Sequence, residues 1–214
     1  MRFRVTRFIP ASLLTRLKLA RNRSRPHRCL EIGPGPRRLR GFETLNIVSG
    51  RDVDYVWDAS RQLPFGVGTF EVIYCSHTLE HVPWYLTEQT LQEWVRVLAP
   101  EGRLEVWVPD GLRLCQALVY YELEGENRMH LDGWARFNEE RNPYKWISGR
   151  IYAYGDGTGD PGSPNWHRAL FTPKHLRQVM ERAGLKDIRS LDRADVRGHD
   201  HGWINMGMTG TKPR

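Results

Sequence analysis

The chain has 214 residues, 40% of them hydrophobic, with eight Trp and a formal net charge of +7; this is enough for one well-cored domain and too little for two large ones. No apolar run approaches the ~20 residues that a membrane span requires. The three cysteines, Cys29, Cys75 and Cys115, are odd in number and lack C-x-x-C spacing, which speaks against a disulfide scaffold or a cysteine metal site and for a soluble protein of a reducing cytoplasm.

Residues 1–28 hold nine Lys or Arg and no Asp or Glu, leaving 23 basic and 25 acidic side chains in the remainder. The chain thus divides into a basic N-terminal arm, 1–28, and a nearly neutral domain, 29–214. A nucleic-acid binder more usually carries basic residues across a folded face, so nucleic acid is not the expected partner. Within the arm, Leu13, Leu14 and Leu17 share a helical face among Arg16, Lys18, Arg21 and Arg23. That pattern suits peripheral contact with an anionic membrane, such as the inner membrane face. An Arg-rich, acid-free arm also resembles a mitochondrial presequence, and the plainest alternative is a helix docked on the sheet.

Cys29-Leu30-Glu31-Ile32 reads as a buried strand running into the turn Gly33-Pro34-Gly35-Pro36. Further strands are predicted at Thr44–Val48, at Asp54–Trp57, at Phe70–Cys75 and at Arg103–Val108. Between the last two lies a helix with apolar spacing Leu91, Trp94, Val95 and Leu98, ended by Pro100 and Gly102. A late helix is signalled by Thr172 as N-cap, Pro173 at the first helical position and Gly184 just past the end. Strands around Lys186–Leu191 and Trp203–Thr211 follow. Alternating strand and helix give an α/β, Rossmann-like, doubly wound sheet of seven mostly parallel strands.

Residues 111–171 interrupt this alternation with Tyr120, Tyr121, Trp134, Phe137, Tyr144, Trp146, Tyr152, Tyr154 and Trp166. Sixty residues are too many for a plain loop. An aromatic-rich insertion after strand five is expected, with some helix and a Gly/Pro-rich connection at 155–164. It forms either a lid over the substrate or a small packed subdomain.

Glu31-Ile32-Gly33-Pro34-Gly35 has the form acid-x-Gly-x-Gly at the end of a first strand, where glycines let backbone approach a ligand. A dinucleotide reader would want a third glycine where Arg38 stands, and no Tyr-x-x-x-Lys pair is present for hydride transfer. With Leu45-Asn46-Ile47, Asp58-Ala59, Ser76-His77-Thr78-Leu79-Glu80-His81 and Leu98-Ala99-Pro100-Glu101-Gly102 at their intervals, the chain resembles the class I S-adenosylmethionine-dependent methyltransferases. The resemblance is carried by about residues 29–110, and by pattern alone over 172–211. It implies S-adenosyl-L-methionine as cofactor, held by Glu31, Gly33, Pro34, Gly35, Asn46, Ile47, Asp58, Ala59, Ser76 and His77. Asn46 stands where the family usually has an acid on the ribose hydroxyls, and an amide accepts neither bidentately nor with charge.

More narrowly, Gly35-Pro36-Arg37-Arg38-Leu39 and the Ser-His-x-Leu-Glu-His run resemble predicted bacterial methyltransferases associated with surface-glycan pathways, which implies a small-molecule or glycan acceptor with a hydroxyl oxygen as nucleophile. An RNA methyltransferase and a non-catalytic cofactor-binding protein are the alternatives. The first lacks the Asp/Asn-Pro-Pro-aromatic run expected after strand four, and the intact glycine turn opposes the second.

His77-Thr78-Leu79-Glu80-His81 spells H-x-x-E-H, the inverted metalloprotease pattern, but it begins directly after a strand rather than inside a helix. Some methyltransferases carry E-x-x-E-H here and bind a divalent ion; with His77 in place of the first Glu, no metal is assigned. His167, before the late helix, is the first candidate general base, since an ordinary His titrates near neutrality; His77 is the second. His199-Asp200-His201 is read as a solvated turn.

Overall fold

A computed structural model describes residues 11–35, 38–127, 129, 137–152, 160 and 162–214. Trp134, Tyr154 and most of the 155–164 connection lie outside the described residues. Seven strands form one sheet in the order β3-β2-β1-β4-β5-β7-β6: β1 Cys29–Ile32, β2 Glu43–Asn46, β3 Tyr55–Val56, β4 Phe70–Ser76, β5 Leu98–Pro109, β6 Lys186–Leu191 and β7 Asn205–Thr211. Strands β1 to β5 are mutually parallel and β7 alone runs antiparallel, between β5 and β6. The central strands are buried on both faces and so read as apolar runs rather than alternations.

The strand-five boundary differs from expectation. Leu98–Gly102 belongs to β5, with Leu98 beside Phe70 and a register shift before Val72 meets Arg103. Gly102 permits that path, because a Cβ there would lie 2.7 Å from Ala99 O and 3.0 Å from Glu71 O. β2 stops two residues early, leaving Ile47 and Val48 exposed.

Helices α1 Ala11–Asn22, α2 Thr87–Val97, α3 Gly111–Glu124, α4 Pro143–Ile151 and α5 Pro173–Arg182 complete the chain. Helix α2 buries Leu91, Trp94 and Val95, and α5 buries Leu176, Val179 and Met180, against Ile73, Leu104 and Val106 of the sheet in one core. The Thr172 hydroxyl accepts from His175 N at 3.2 Å and starts α5. Helices α3 and α4 are capped by Asp110 and Asn142. They build a second core of Leu114, Ala117, Met129, Trp146, Ile147 and Ile204. In the insertion Trp146 is therefore a packing residue, whereas Phe137, Tyr144 and Tyr152 are exposed.

Helix α1 packs on β3 through polar contacts. Thr15 Oγ1 accepts from Val56 N at 3.0 Å, Lys18 Nζ donates to Asp54 Oδ1 at 2.8 Å, and Asn22 Nδ2 donates to the Tyr55 hydroxyl at 2.8 Å. Leu13, Leu14 and Leu17 face solvent. No helix among the described residues is long and apolar enough to cross a membrane.

Candidate active site

Parallel strands β1 to β4 deliver their carboxyl ends to one edge, and the chain reverses direction across the sheet between β1 and β4, where open α/β sheets place their ligands. Gly33 leaves β1 with φ +70°, and its N–H donates to Leu45 O at 2.9 Å. A Cβ on Gly33 would stand 1.8 Å from Thr78 Oγ1 and 2.9 Å from Thr78 Cβ. Its space is thus already taken by the turn after β4, which corrects the expectation that Gly33 clears room for a ligand. Gly35 is exposed, and a Cβ there would meet nothing within 4 Å among the described residues. The open approach lies at Gly35.

The buried Glu31 carboxylate closes the same turn by accepting Leu39 N–H at 2.7 Å. Burial pushes its pKa up, against the opposing Leu39 N–H and Arg38. Asn46 is half-buried at the end of β2, with Ile47 exposed beside it. Asp58 folds its carboxylate back on the chain, accepting from Ser60 N at 2.9 Å and Ser60 Oγ at 2.7 Å, with Arg61 at 3.2 Å. Ala59 O accepts from Trp94 Nε1 at 3.0 Å, which ties this loop to α2. Pro34 is buried and Ser76 half-buried.

Directly after Ser76 the backbone enters the left-handed region at His77, φ +50°, and a 3₁₀ turn spans Leu79–His81. A non-glycine residue in this region is uncommon and costs energy, which makes it notable beside a candidate site. His77 is held on three sides: its N–H donates to Trp107 O at 2.9 Å, Nε2 faces Asn205 Oδ1 at 3.1 Å and Nδ1 lies 3.2 Å from Glu80 Oε1. Its ring stacks on His201 at 3.6 Å. Burial, then the charges of His77 and His199, take His201 down to about 3. The reading of residues 199–201 as a solvated turn holds for exposed His199 and Asp200; His201 is drawn inward. Asp200 is paired with Arg193.

Glu80 is 1% exposed, and neither carboxylate oxygen accepts a hydrogen bond from the described residues. Burial alone would raise its pKa, but His77, His81 and His167 around it bring it down to about 2. The Glu80 carbonyl accepts both Arg168 N at 2.7 Å and Ala169 N at 3.1 Å, which pins the segment carrying His167 against the turn after β4. The structure thereby brings His167 to His77, Glu80 and His81 across some ninety residues of sequence. His167 Nδ1 faces Arg150 O at 3.0 Å, and His81 Nδ1 faces Trp166 O at 3.3 Å. Burial carries His167 down to about 4, below the near-neutral value its residue type suggests, so it is unprotonated throughout the neutral range. Neither Thr78 nor Asn205 was singled out in the sequence. Only the register of β7 against β5, which seats Asn205 beside Pro109, brings the second of them here.

A methyltransferase-domain family profile matches residues 4–190. No curated protein matches the sequence. Among solved structures, the chain is similar to the CMeT domain of citrinin polyketide synthase, with 13% identity and a TM-score of 0.51 over 88% of this chain and 47% of that one. A possible exported protein from Bordetella parapertussis shares 13% identity with a TM-score of 0.50 over 95% and 67%. The CurJ carbon methyltransferase shares 15% identity with a TM-score of 0.49 over 94% and 54%. The chain thus spans about half the length of the CurJ and citrinin structures.

Proposed function

Because the chain belongs to the class I, S-adenosylmethionine-dependent methyltransferases, we propose that it transfers the cofactor's methyl group to a hydroxyl oxygen of a small-molecule or glycan acceptor. The observation that carries the cofactor half of this reading is the open space at Gly35 after β1, on the sheet edge where β2 ends at Asn46, β4 ends at Ser76 and the turn after β3 carries Asp58. There Glu31 shapes the glycine turn, Asn46 accepts a ribose hydroxyl, Ile47 and Ala59 cover the adenine, and Asp58 accepts from its amino group. Pro34 stiffens the turn; Ser76 and His77 lie toward the sulfonium. Asp58 meets the adenine only with a lone pair not spent on Ser60 and Arg61.

In the reaction the acceptor oxygen attacks the sulfonium methyl. The new O–C bond forms as the C–S bond breaks, its electron pair stays on sulfur as S-adenosylhomocysteine, and the hydroxyl proton passes to a base and then to water. Orientation supplies most of the rate. His167 is the first candidate for the proton, with His77 second. A base held at about 4 is available at every neutral pH but pulls weakly, so the assignment predicts activity with no His inflection between pH 6 and 9.

Thermal unfolding with S-adenosylhomocysteine tests cofactor binding, with a gain of about 2.7 kcal/mol at 100 times the dissociation constant. Stabilisation by NAD instead would overturn the reading. Transfer of labelled methyl to RNA but to no hydroxylated saccharide would replace the acceptor class. The outward Leu13, Leu14 and Leu17 of α1, among basic residues, are proposed to touch anionic membrane. Co-sedimentation with phosphatidylglycerol vesicles should be lost on Leu17→Asp; equal binding removes the arm from the proposal.

A further inference from the structure

Glu80, His81 and His167 each offer a ligand atom, and these atoms lie within 4.8 Å of one another. We propose that the three side chains form a binding site for one divalent first-row transition-metal ion.

The first reason is the state of Glu80. A buried carboxylate without hydrogen bonds is costly, and here both oxygens lack them while the side chain is almost wholly buried. The His77 ring, with Nδ1 at 3.2 Å from Oε1, reaches one oxygen only. A cation in the cluster supplies what the protein does not.

The second reason is the way the two histidines are held. Each presents Nδ1 to a main-chain carbonyl, Trp166 O for His81 and Arg150 O for His167. This arrangement sets the tautomer so that Nε2 carries the lone pair, and it is how metal-ligating histidines are characteristically oriented by their surroundings. Main-chain bonds from Arg168 and Ala169 to Glu80 O keep the two contributing segments together.

The donor set selects the ion. Two imidazoles and one carboxylate suit Zn²⁺, Mn²⁺ or Fe²⁺ with a position left for water or substrate, whereas Mg²⁺ and Ca²⁺ prefer oxygen alone. Ligand atoms around one such ion sit roughly 3–4 Å apart, so the cluster needs to close by only about an ångström. His77 stands outside the set. It faces Glu80 and Asn205 and positions the carboxylate, so the ion does not follow the first position of the H-x-x-E-H run.

The site lies one turn from the glycine loop, since Thr78 fills the space at Gly33. A bound ion would make His167 a ligand and hand deprotonation of the acceptor hydroxyl to metal coordination; that consequence, unlike the site itself, rests on the methyl-transfer reading.

The test uses the full chain freed of metal by a chelator and titrated with Co²⁺, then Zn²⁺. One saturable equivalent is expected, giving visible ligand-field absorption that Zn²⁺ abolishes, together with a raised melting temperature. Glu80→Gln and His167→Gln should each weaken binding at least tenfold, while His27→Gln, at an exposed site elsewhere, should not. Absence of saturable binding to the wild type overturns the proposal, and that result needs no variant to fold. Undiminished binding in folded Glu80→Gln and His167→Gln proteins overturns it equally. S-adenosylhomocysteine binding, measured on the same metal-free protein, reports on the methyl-transfer reading separately.

Discussion

Two carboxylates are buried in this sheet to nearly the same depth, Glu43 on β2 at 2% exposure and Glu80 after β4 at 1%, and their surroundings are opposite. Glu43 receives Arg28 Nε at 2.8 Å and Nη2 at 2.9 Å, Asn22 Nδ2 at 3.3 Å and the Tyr55 hydroxyl. Burial and the Glu43 charge both push the Tyr55 hydroxyl pKa up, so it stays a donor. Glu105 on β5 is satisfied in the same way by Arg197. Glu80 has histidines for neighbours and, among the described residues, no hydrogen bond. A saturated buried charge is a structural joint, here the one that fastens α1 to the sheet edge; an unsaturated one is poised for something that arrives from outside.

The sharpest way to break this contrast is to remove one partner from each. Arg28→Ala strands the Glu43 carboxylate and should cost ~3–5 kcal/mol in denaturant unfolding, the usual penalty for opening a buried pair. Glu80→Gln should change unfolding by no more than ~1 kcal/mol, since no hydrogen bond is lost, yet lower turnover by ~10² or more. Equal destabilisation by the two substitutions would make Glu80 an ordinary structural acid.

The same distinction applies to space. At Gly33 the room is filled by Thr78 and φ is positive, so Gly33→Ala should lower stability by ~1–3 kcal/mol, which calorimetric unfolding reads. At Gly35 the room is empty, and Gly35→Val should leave stability within ~0.5 kcal/mol while weakening S-adenosylhomocysteine about tenfold, or about 1.4 kcal/mol. Unchanged affinity in Gly35→Val would place the cofactor elsewhere.

The smallest effect is expected from acid. Burial pushes the Asp54 carboxyl up, but hydrogen bonds from Lys18 and Arg38 outweigh it and hold its pKa below 3.8. A depressed carboxyl stabilises the fold above its unfolded value near 4 and loses that contribution as pH falls through the lower, folded one. Protection of α1 amides from hydrogen exchange should therefore be constant from pH 7 to 5 and decline below about 4, and Asp54→Asn should flatten that decline.

The glycine turn, the strands around it and the start of α5 were legible because their signals are local. An apolar run followed by Gly-x-Gly, an acid or amide ending each of the next strands, and Thr172-Pro173 starting a helix all act within a few residues. The histidine cluster was legible only in pieces. His77, Glu80 and His81 are visible as a run, but their meeting with His167 depends on main-chain bonds from Arg168 and Ala169 to Glu80. Burial then moves His167 well below its intrinsic value, and intrinsic values are all that a sequence offers. The role of Gly33 was misjudged for a related reason, since the atom it makes room for belongs to Thr78, distant in sequence.

The long excursion between β5 and α5 leaves and returns at one place. Gly111 N donates to Phe171 O at 2.7 Å, and Asp110 pairs with Phe171 in an isolated bridge. Because its two ends are clasped side by side, lengthening or replacing what lies between them changes no strand register, and the entropy of closing a longer loop grows only slowly. The excursion is thus an exchangeable cassette. His167, just inside the clasp, is tied to the excursion as well, its N–H donating to Tyr152 O at 3.0 Å and its Nδ1 facing Arg150 O at 3.0 Å, so an exchange that spares the end of α4 also spares this histidine.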